Sequence, residues 1–283
     1  MKNIWTLARL TLREAIRRRI VLTGIILGLV FLTFFSVGFH FVYISASAEA
    51  PTSSETVTNL MKNEFVNMIM LAGLYAVTFL SAAMGALLGA DTLSGEIISG
   101  TIQTIVAKPI HRRDVVLGKW LGFAILLAGY AVLMSGGTVL MVRLITGFTP
   151  HNILPGVTLI YLEAVLIMTI SLACSSFLSG LATGGVVFGL YGLSFIGGWV
   201  EQIGSVLQNE IAVQVGIVTS LLIPSESLWR RAAFEMQSPI SAAIGMSPFG
   251  TISVPSPLMI GYAILYLILA LMVAISTFNH RDL

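Results

Sequence analysis

The run VTLIYLEAVLIMTISLACSSFLSGLATGGVVFGLYGLSFIGGWV, residues 157–200, contains one charged side chain, Glu163. A bilayer core about 30 Å thick is crossed by roughly 20 apolar residues in a helix, which pairs its backbone N–H and C=O groups within the segment. The run is long enough for two such crossings, and the small and polar residues between Ser175 and Gly184 supply a turn between them. It predicts a membrane hairpin.

Residues 20–44, 65–90, 120–142 and 257–279 have the same character, whereas 211–223 is too short to cross. The expectation is an all-α integral membrane protein with six transmembrane helices. Composition agrees, because 56% of the 283 residues are hydrophobic and 10% charged, against about 25% charged in a soluble domain. No stretch is polar enough for a separate water-soluble globule, so residues 1–283 read as a single membrane domain. A net charge of +2 gives no argument for a nucleic-acid partner, and the lone Cys174 excludes an intrachain disulfide.

Basic loops resist translocation and so mark the cytoplasmic face. With six spans, Lys2, Arg9, Arg13, Arg17, Arg18, Arg19, Lys108, Arg112, Arg113, Lys119 and Arg281 share one side, while Lys62, Arg143, Arg230 and Arg231 lie on the other. Both termini are therefore expected in the cytoplasm of a multi-pass protein of the cell membrane. Ala46-Ser47-Ala48 has the small-residue pattern of a signal-peptidase site, but the apolar run before it exceeds the 7–15 residues of a signal peptide, which predicts an uncleaved anchor.

Before the first span, Ile4, Trp5, Ala8, Leu12, Ala15 and Ile16 fall on one helical stripe flanked by Lys2, Arg9, Arg13 and Arg17. Residues 1–19 are thus expected to form an amphipathic helix lying in the headgroup plane, with Leu7 and Leu10 out of place on its polar face.

Between the second and third spans runs a loop over residues 91–119. Within it Ile97, Ile98, Thr101, Ile102, Ile105 and Val106 give one apolar helical face, and Pro109 ends the helix at Lys108. The turn presents Ile110 to Arg113 as a basic tip, and Asp114 can cap the third span. A loop needed only for its charge has no use for sustained amphipathic periodicity, so a docking element is expected.

Asp91, Ser94-Gly95-Glu96, Gly100-Thr101, Lys108-Pro109-Ile110, Arg112 and Gly118-Lys119 together resemble the loop signature of ABC-2 type transporter permeases. The ending Phe278-Asn-His-Arg281-Asp282-Leu283 is similar to the close of many members, and the NosY-like subgroup is the most similar. The resemblance implies a coupling helix between the second and third helices that docks on a separate cytoplasmic ATP-hydrolysing subunit, two copies per complex. It assigns docking to Asp91, Gly95, Glu96, Thr101, Lys108, Pro109, Arg112, Arg113 and Lys119. It further implies a second permease subunit, most simply a homodimer, with export as the direction. ATP and Mg would belong to the partner subunit, and no cofactor to this chain.

The chain lacks G-x-x-x-x-G-K-[ST], since Gly118-Lys119 is followed by Trp120. His40, His111, His151 and His280 are scattered, so no metal site is readable, and Gly192-Leu-Ser194 is the nearest approach to a nucleophile turn, without a following His in the spans. Neither catalytic nor metal-binding residues are expected.

Small residues recur four apart at Gly24/Gly28, Gly85/Gly89, Gly118/Gly122, Gly180/Gly184 and Gly185/Gly189, permitting close helix crossings. Glu163, about six residues into the fourth span, must face protein or water. It lines a pathway with Gly185 and Gly189, pairs with Arg143, or reaches the interface. Residues 201–256 are too apolar for a free loop, and 211–223 and 225–236 suit short re-entrant or interfacial helices before the last span, able to meet membrane lipid or an extracytoplasmic partner. The competing functions are a force-transmitting subunit that moves no cargo, and an ion channel or secondary carrier.

Overall fold

The computed structural model describes residues 2–48, 55–98, 111–238 and 253–280. The regular structure among the described residues is helical throughout: α1 (Lys2–Arg17), α2 (Arg19–Ala48), α3 (Glu55–Ala90), α4 (Thr92–Ile98), α5 (Arg112–Thr146), α6 (Ile153–Ser175), α7 (Gly180–Val206), α8 (Glu210–Leu222), α9 (Ser225–Met236) and α10 (Leu258–His280). Six of these, α2, α3, α5, α6, α7 and α10, are long and apolar enough to cross a membrane. The short helices α8 and α9 meet at a 105° bend.

Helix α6 is the axis of the bundle, buried along most of its length, while α2 and α10 expose most of theirs. Its tightest neighbour is α3. A Cβ on Gly85 would lie 2.5 Å from the Ala164 carbonyl oxygen, and one on Gly89 would lie 2.8 Å from the Leu172 amide nitrogen. The two backbones can approach only because both positions lack a side chain, and the Ser171 hydroxyl donates to the Ala86 carbonyl at 2.6 Å across the gap. Along α2, Phe31, Phe35, Phe39 and Tyr43 stack in sequence, and Phe35 fills the notch left by Gly73 on α3.

The 157–200 run is a hairpin, with α6 and α7 joined through Ser176–Ser179. The Ser176 hydroxyl donates to the Ala173 carbonyl and the Leu178 amide to that of Cys174. At the far end of α5, Gly147 closes the helix at φ 74°, where a side chain would be strained, and its amide bonds the Arg143 carbonyl at 2.8 Å.

Helix α1 exists as expected, but part of its apolar stripe faces protein. Ala8, Thr11 and Ala15 are buried, and α1 crosses α5 at Gly118 and Gly122, where Leu7, Ala8 and Thr11 fill the space that side chains there would need. Leu7, an exception on the sequence wheel, is explained by this crossing. Trp5 and Ile16 remain exposed on the other edge, as an interfacial helix requires.

Candidate functional site

At the end that carries α1, α4 continues α3 and packs against α6 and α7. Asp91 breaks the path of α3, and Leu93 is fully buried among Val115 and Val116 of α5, Leu172 and Ala173 of α6, and Ala274 and Phe278 of α10. The exposed Asp91 side chain bridges to α7. Its Oδ1 lies 2.8 Å from the Cβ position of Gly95 and 2.8 Å from that of Gly180, the first residue of α7, so two glycines leave room for one carboxylate. A negative charge at that helix start also complements the helix dipole.

Helix α5 starts earlier than the sequence suggests. Arg112 and Arg113 form its first turn and are not a loop tip, and Asp114 sits within that turn, close to His111 and Arg113, with His111 in the cap position. Charged residues sustain a helix in water beyond the apolar boundary, which is why hydropathy placed the start too late. Arg112 donates to the Asn279 carbonyl at 3.3 Å, tying the start of α5 to the end of α10, while Arg113 is exposed. Lys119 is buried one turn further on, within the wall of the bundle. Glu96 belongs to α4; Thr101, Lys108, Pro109 and the rest of the expected 97–106 helix beyond Ile98 lie outside the described residues, as does the Arg281–Leu283 ending.

Glu163 is deeper than expected. Because α6 begins at Ile153, with Pro155 tolerated in its first turn, the carboxylate lies near the middle of the helix and is 1% exposed. Neither oxygen makes a hydrogen bond of full geometry, and the Tyr191 hydroxyl and the Glu226 carboxylate are the polar groups near enough to act on it. Arg143 is exposed at the end of α5 and forms no ion pair with it, which sets aside pairing and interfacial exposure. Gly185 and Gly189 lie on the exposed face of α7 with open space beside them, so a single chain does not bring them together with Glu163.

At the opposite end, α8 and α9 fold back against α7. A Cβ on Gly204 would meet Ala212, and Gly197 and Gly216 are closed off by Thr219 and Glu201, so the upper half of α7 is the half that packs closely. Ser194 is spent on the α8–α9 bend: its hydroxyl donates to the Ile223 carbonyl at 3.0 Å and accepts from Ser225 and the Glu226 amide. Helix α9 inserts Trp229 and Arg230, both 1% exposed. Arg230 meets Glu201 of α7 at 2.6 and 2.9 Å and reaches Ser220 at 3.2 Å. The Tyr75 hydroxyl of α3 donates to Glu226 at 3.1 Å and accepts from the Trp199 indole at 3.0 Å, with its ring 4.9 Å from that of Trp229.

Residues 5–283 match the family described as "ABC-2 family transporter protein". The chain belongs to the ABC-2 transporter family. Among curated relatives it is similar to two proteins named "Probable ABC transporter permease protein NosY". The identity is 29% over 128 residues for that of Stutzerimonas stutzeri and 30% over 128 for that of Pseudomonas aeruginosa. Each match covers 45% of this chain and 41% of the relative, so the chain spans about two fifths of the length of the curated relatives it matches.

As an ABC-2 permease the molecule is a membrane transporter subunit, and two of its polar groups, around Asp91 and around Arg230, lie towards opposite ends of the bundle, with Glu163 between them. Sequence reasoning singled out the first, around Asp91, and missed the second. Tyr75, Trp199, Glu201, Glu226 and Arg230 come from three helices far apart in sequence, and the one available signal was charge and aromatics crowded into segments otherwise suited to lipid. Among the described residues no group of three or more His, Cys, Asp or Glu could hold a metal ion.

Proposed function

We propose that this chain is the subunit through which a separate cytoplasmic ATPase drives movement across the cell membrane. The observation that carries the reading is the attachment of residues 91–95, and of the helix start at Arg112, to the bundle. Helix α4 packs against α6 and α7, Leu93 belongs to a buried cluster that also holds residues of α5 and α10, and Asp91 reaches Gly180 of α7. A rigid displacement applied at α4 is thereby passed to α3, α6 and α7 together, which is what a nucleotide-driven subunit needs of its membrane partner. Packed helices change arrangement in discrete steps, so such a push repositions α7 and the helices behind it.

In this reading two ATPase copies, each holding ATP and Mg, dock on the basic segment containing Glu96, Lys108, Arg112 and Arg113, with Thr101 and Pro109 shaping it. Asp91 and Gly95 transmit rather than dock, and Lys119 holds the wall behind them. Two permease chains pair through the open face of α7 that carries Gly185 and Gly189, with both termini in the cytoplasm. The path runs along that seam, and export is the direction. An extracytoplasmic partner would meet α8 and α9, which Tyr75 and Glu226 join to α3. That join also suits the second reading, in which force reaches an outer partner without cargo.

The test is affinity purification of the chain from its native membrane in mild detergent, beside a variant with Glu96→Lys and Arg112→Glu. An ATP-binding subunit identified by mass spectrometry with the first and lost with the second is expected. Its absence from both, across several detergents, removes the motor and overturns the reading.

A further inference from the structure

A cavity of about 340 Å³ lies between α8, α9 and the start of α10, on the end of the molecule away from α1. Its deepest side chains are Arg230 and Glu201, 1% and 5% exposed, and beside them are the hydroxyls of Ser220 and Ser227. Its walls are apolar, formed by Ile217 and Leu221 of α8 with Leu258 and Met259 of α10. Leu221 and Leu258 are themselves exposed, so the mouth is rimmed by apolar side chains.

The floor has two electrical properties. Among the residues that line the cavity Arg230 and Glu201 neutralise one another, with the Glu226 carboxylate behind them outside the lining. Yet the pair is not saturated. Both terminal nitrogens of Arg230 lie within ion-pair distance of Glu201, but its Nε and Nη1 are buried without a hydrogen-bond acceptor. A guanidinium offers five donors, and buried donors left unmet are a strong demand for an anionic oxygen. A ligand supplying that oxygen must bring a positive group for Glu201, or it leaves a net negative charge buried.

We propose that this cavity binds a zwitterionic phospholipid from the leaflet facing away from α1, its phosphate at Arg230, its ammonium group at Glu201 and its chains along Leu221 and Leu258. The cavity's size suits a headgroup, and its mouth lets the chains stay in the bilayer. The site is independent of the proposed ATPase coupling, since neither residue belongs to the region around α4.

The experiment uses the purified full chain in maltoside micelles. Phosphatidylethanolamine, phosphatidylglycerol and diacylglycerol, carrying the same photoreactive acyl chain, are crosslinked and the labelled peptides mapped. Phosphatidylethanolamine should label 217–230 and 253–262 about tenfold more than diacylglycerol does, the ratio that one charged hydrogen bond supplies. Unlabelled phosphatidylethanolamine should suppress that labelling and phosphatidylglycerol should not. Ser256→Trp, at the exposed rim, should abolish it while labelling of α2 persists; if that variant does not fold, the competition on the unaltered chain decides. Equal labelling by all three lipids, labelling no stronger than that of α2, or equal competition by phosphatidylglycerol overturns the proposal.

Discussion

The carboxylate of Asp91 occupies the space that a side chain at Gly180 would fill, its Oδ1 2.8 Å from where the Cβ would stand. One acidic side chain thereby links the segment after the second span to the start of the fifth.

Gly180→Ala should break that link at little cost to the fold, because the obstacle is the end of a rotatable side chain. The unfolding midpoint should correspond to a change within about 1 kcal/mol, while hydrogen exchange of the first-turn amides of α7 accelerates. Unchanged exchange would show that Asp91 does not hold that turn.

Gly85→Ala is the opposite case. The obstacle is the Ala164 backbone carbonyl, so α3 and α6 must separate, at about 1–3 kcal/mol. Gly129→Ala, with open space beside it, should be neutral or slightly stabilising in the same thermal denaturation series.

Tyr75→Phe keeps the ring stack but removes the hydroxyl that accepts from the Trp199 indole and donates to Glu226. A loss of about 1–3 kcal/mol is expected, and adding Glu226→Gln should cost less than the sum of the single effects. Trp199 fluorescence would report the change locally; strict additivity would mean that the bond contributes nothing.

Arg230→Met leaves Glu201 charged in a buried site and should cost about 3–5 kcal/mol, whereas Arg230→Met with Glu201→Met should recover most of it. Denaturant unfolding of both variants checks this, and a double variant no better than the single one would place the loss in packing.

Glu163→Met replaces two buried oxygens that lack hydrogen bonds of full geometry by a side chain of similar length. The chain should become more stable, by about 1–3 kcal/mol, in the same assay. A loss would show that an interaction, such as one with Tyr191, holds the carboxylate in place.

The spans were legible because apolar runs near 20 residues have one solution in a bilayer, and Ser175 to Gly184 marked the hairpin. Their ends were not, since hydropathy records where lipid stops and not where a helix stops. Arg112 and Arg113 continue α5 beyond the lipid boundary, and Ile153 starts α6 early enough to carry Glu163 to mid-helix. Leu7 looked misplaced because a wheel drawn for one helix cannot anticipate the crossing at Gly118. The Tyr75 and Arg230 contacts join distant segments, and no local period encodes them.

The bond between Tyr75 and Glu226 also sets an order of assembly. The partners are 151 residues apart, so at roughly 5–20 residues per second the ribosome needs roughly 8–30 s to deliver the second after the first. During that interval the α3 face bearing Tyr75 has no α9 to cover it, and Asn67, whose side chain bonds the Met236 carbonyl 169 residues later, waits longer still. The closing of α8 and α9 over that bare polar and aromatic surface is therefore a late step of maturation, with α10 made after it.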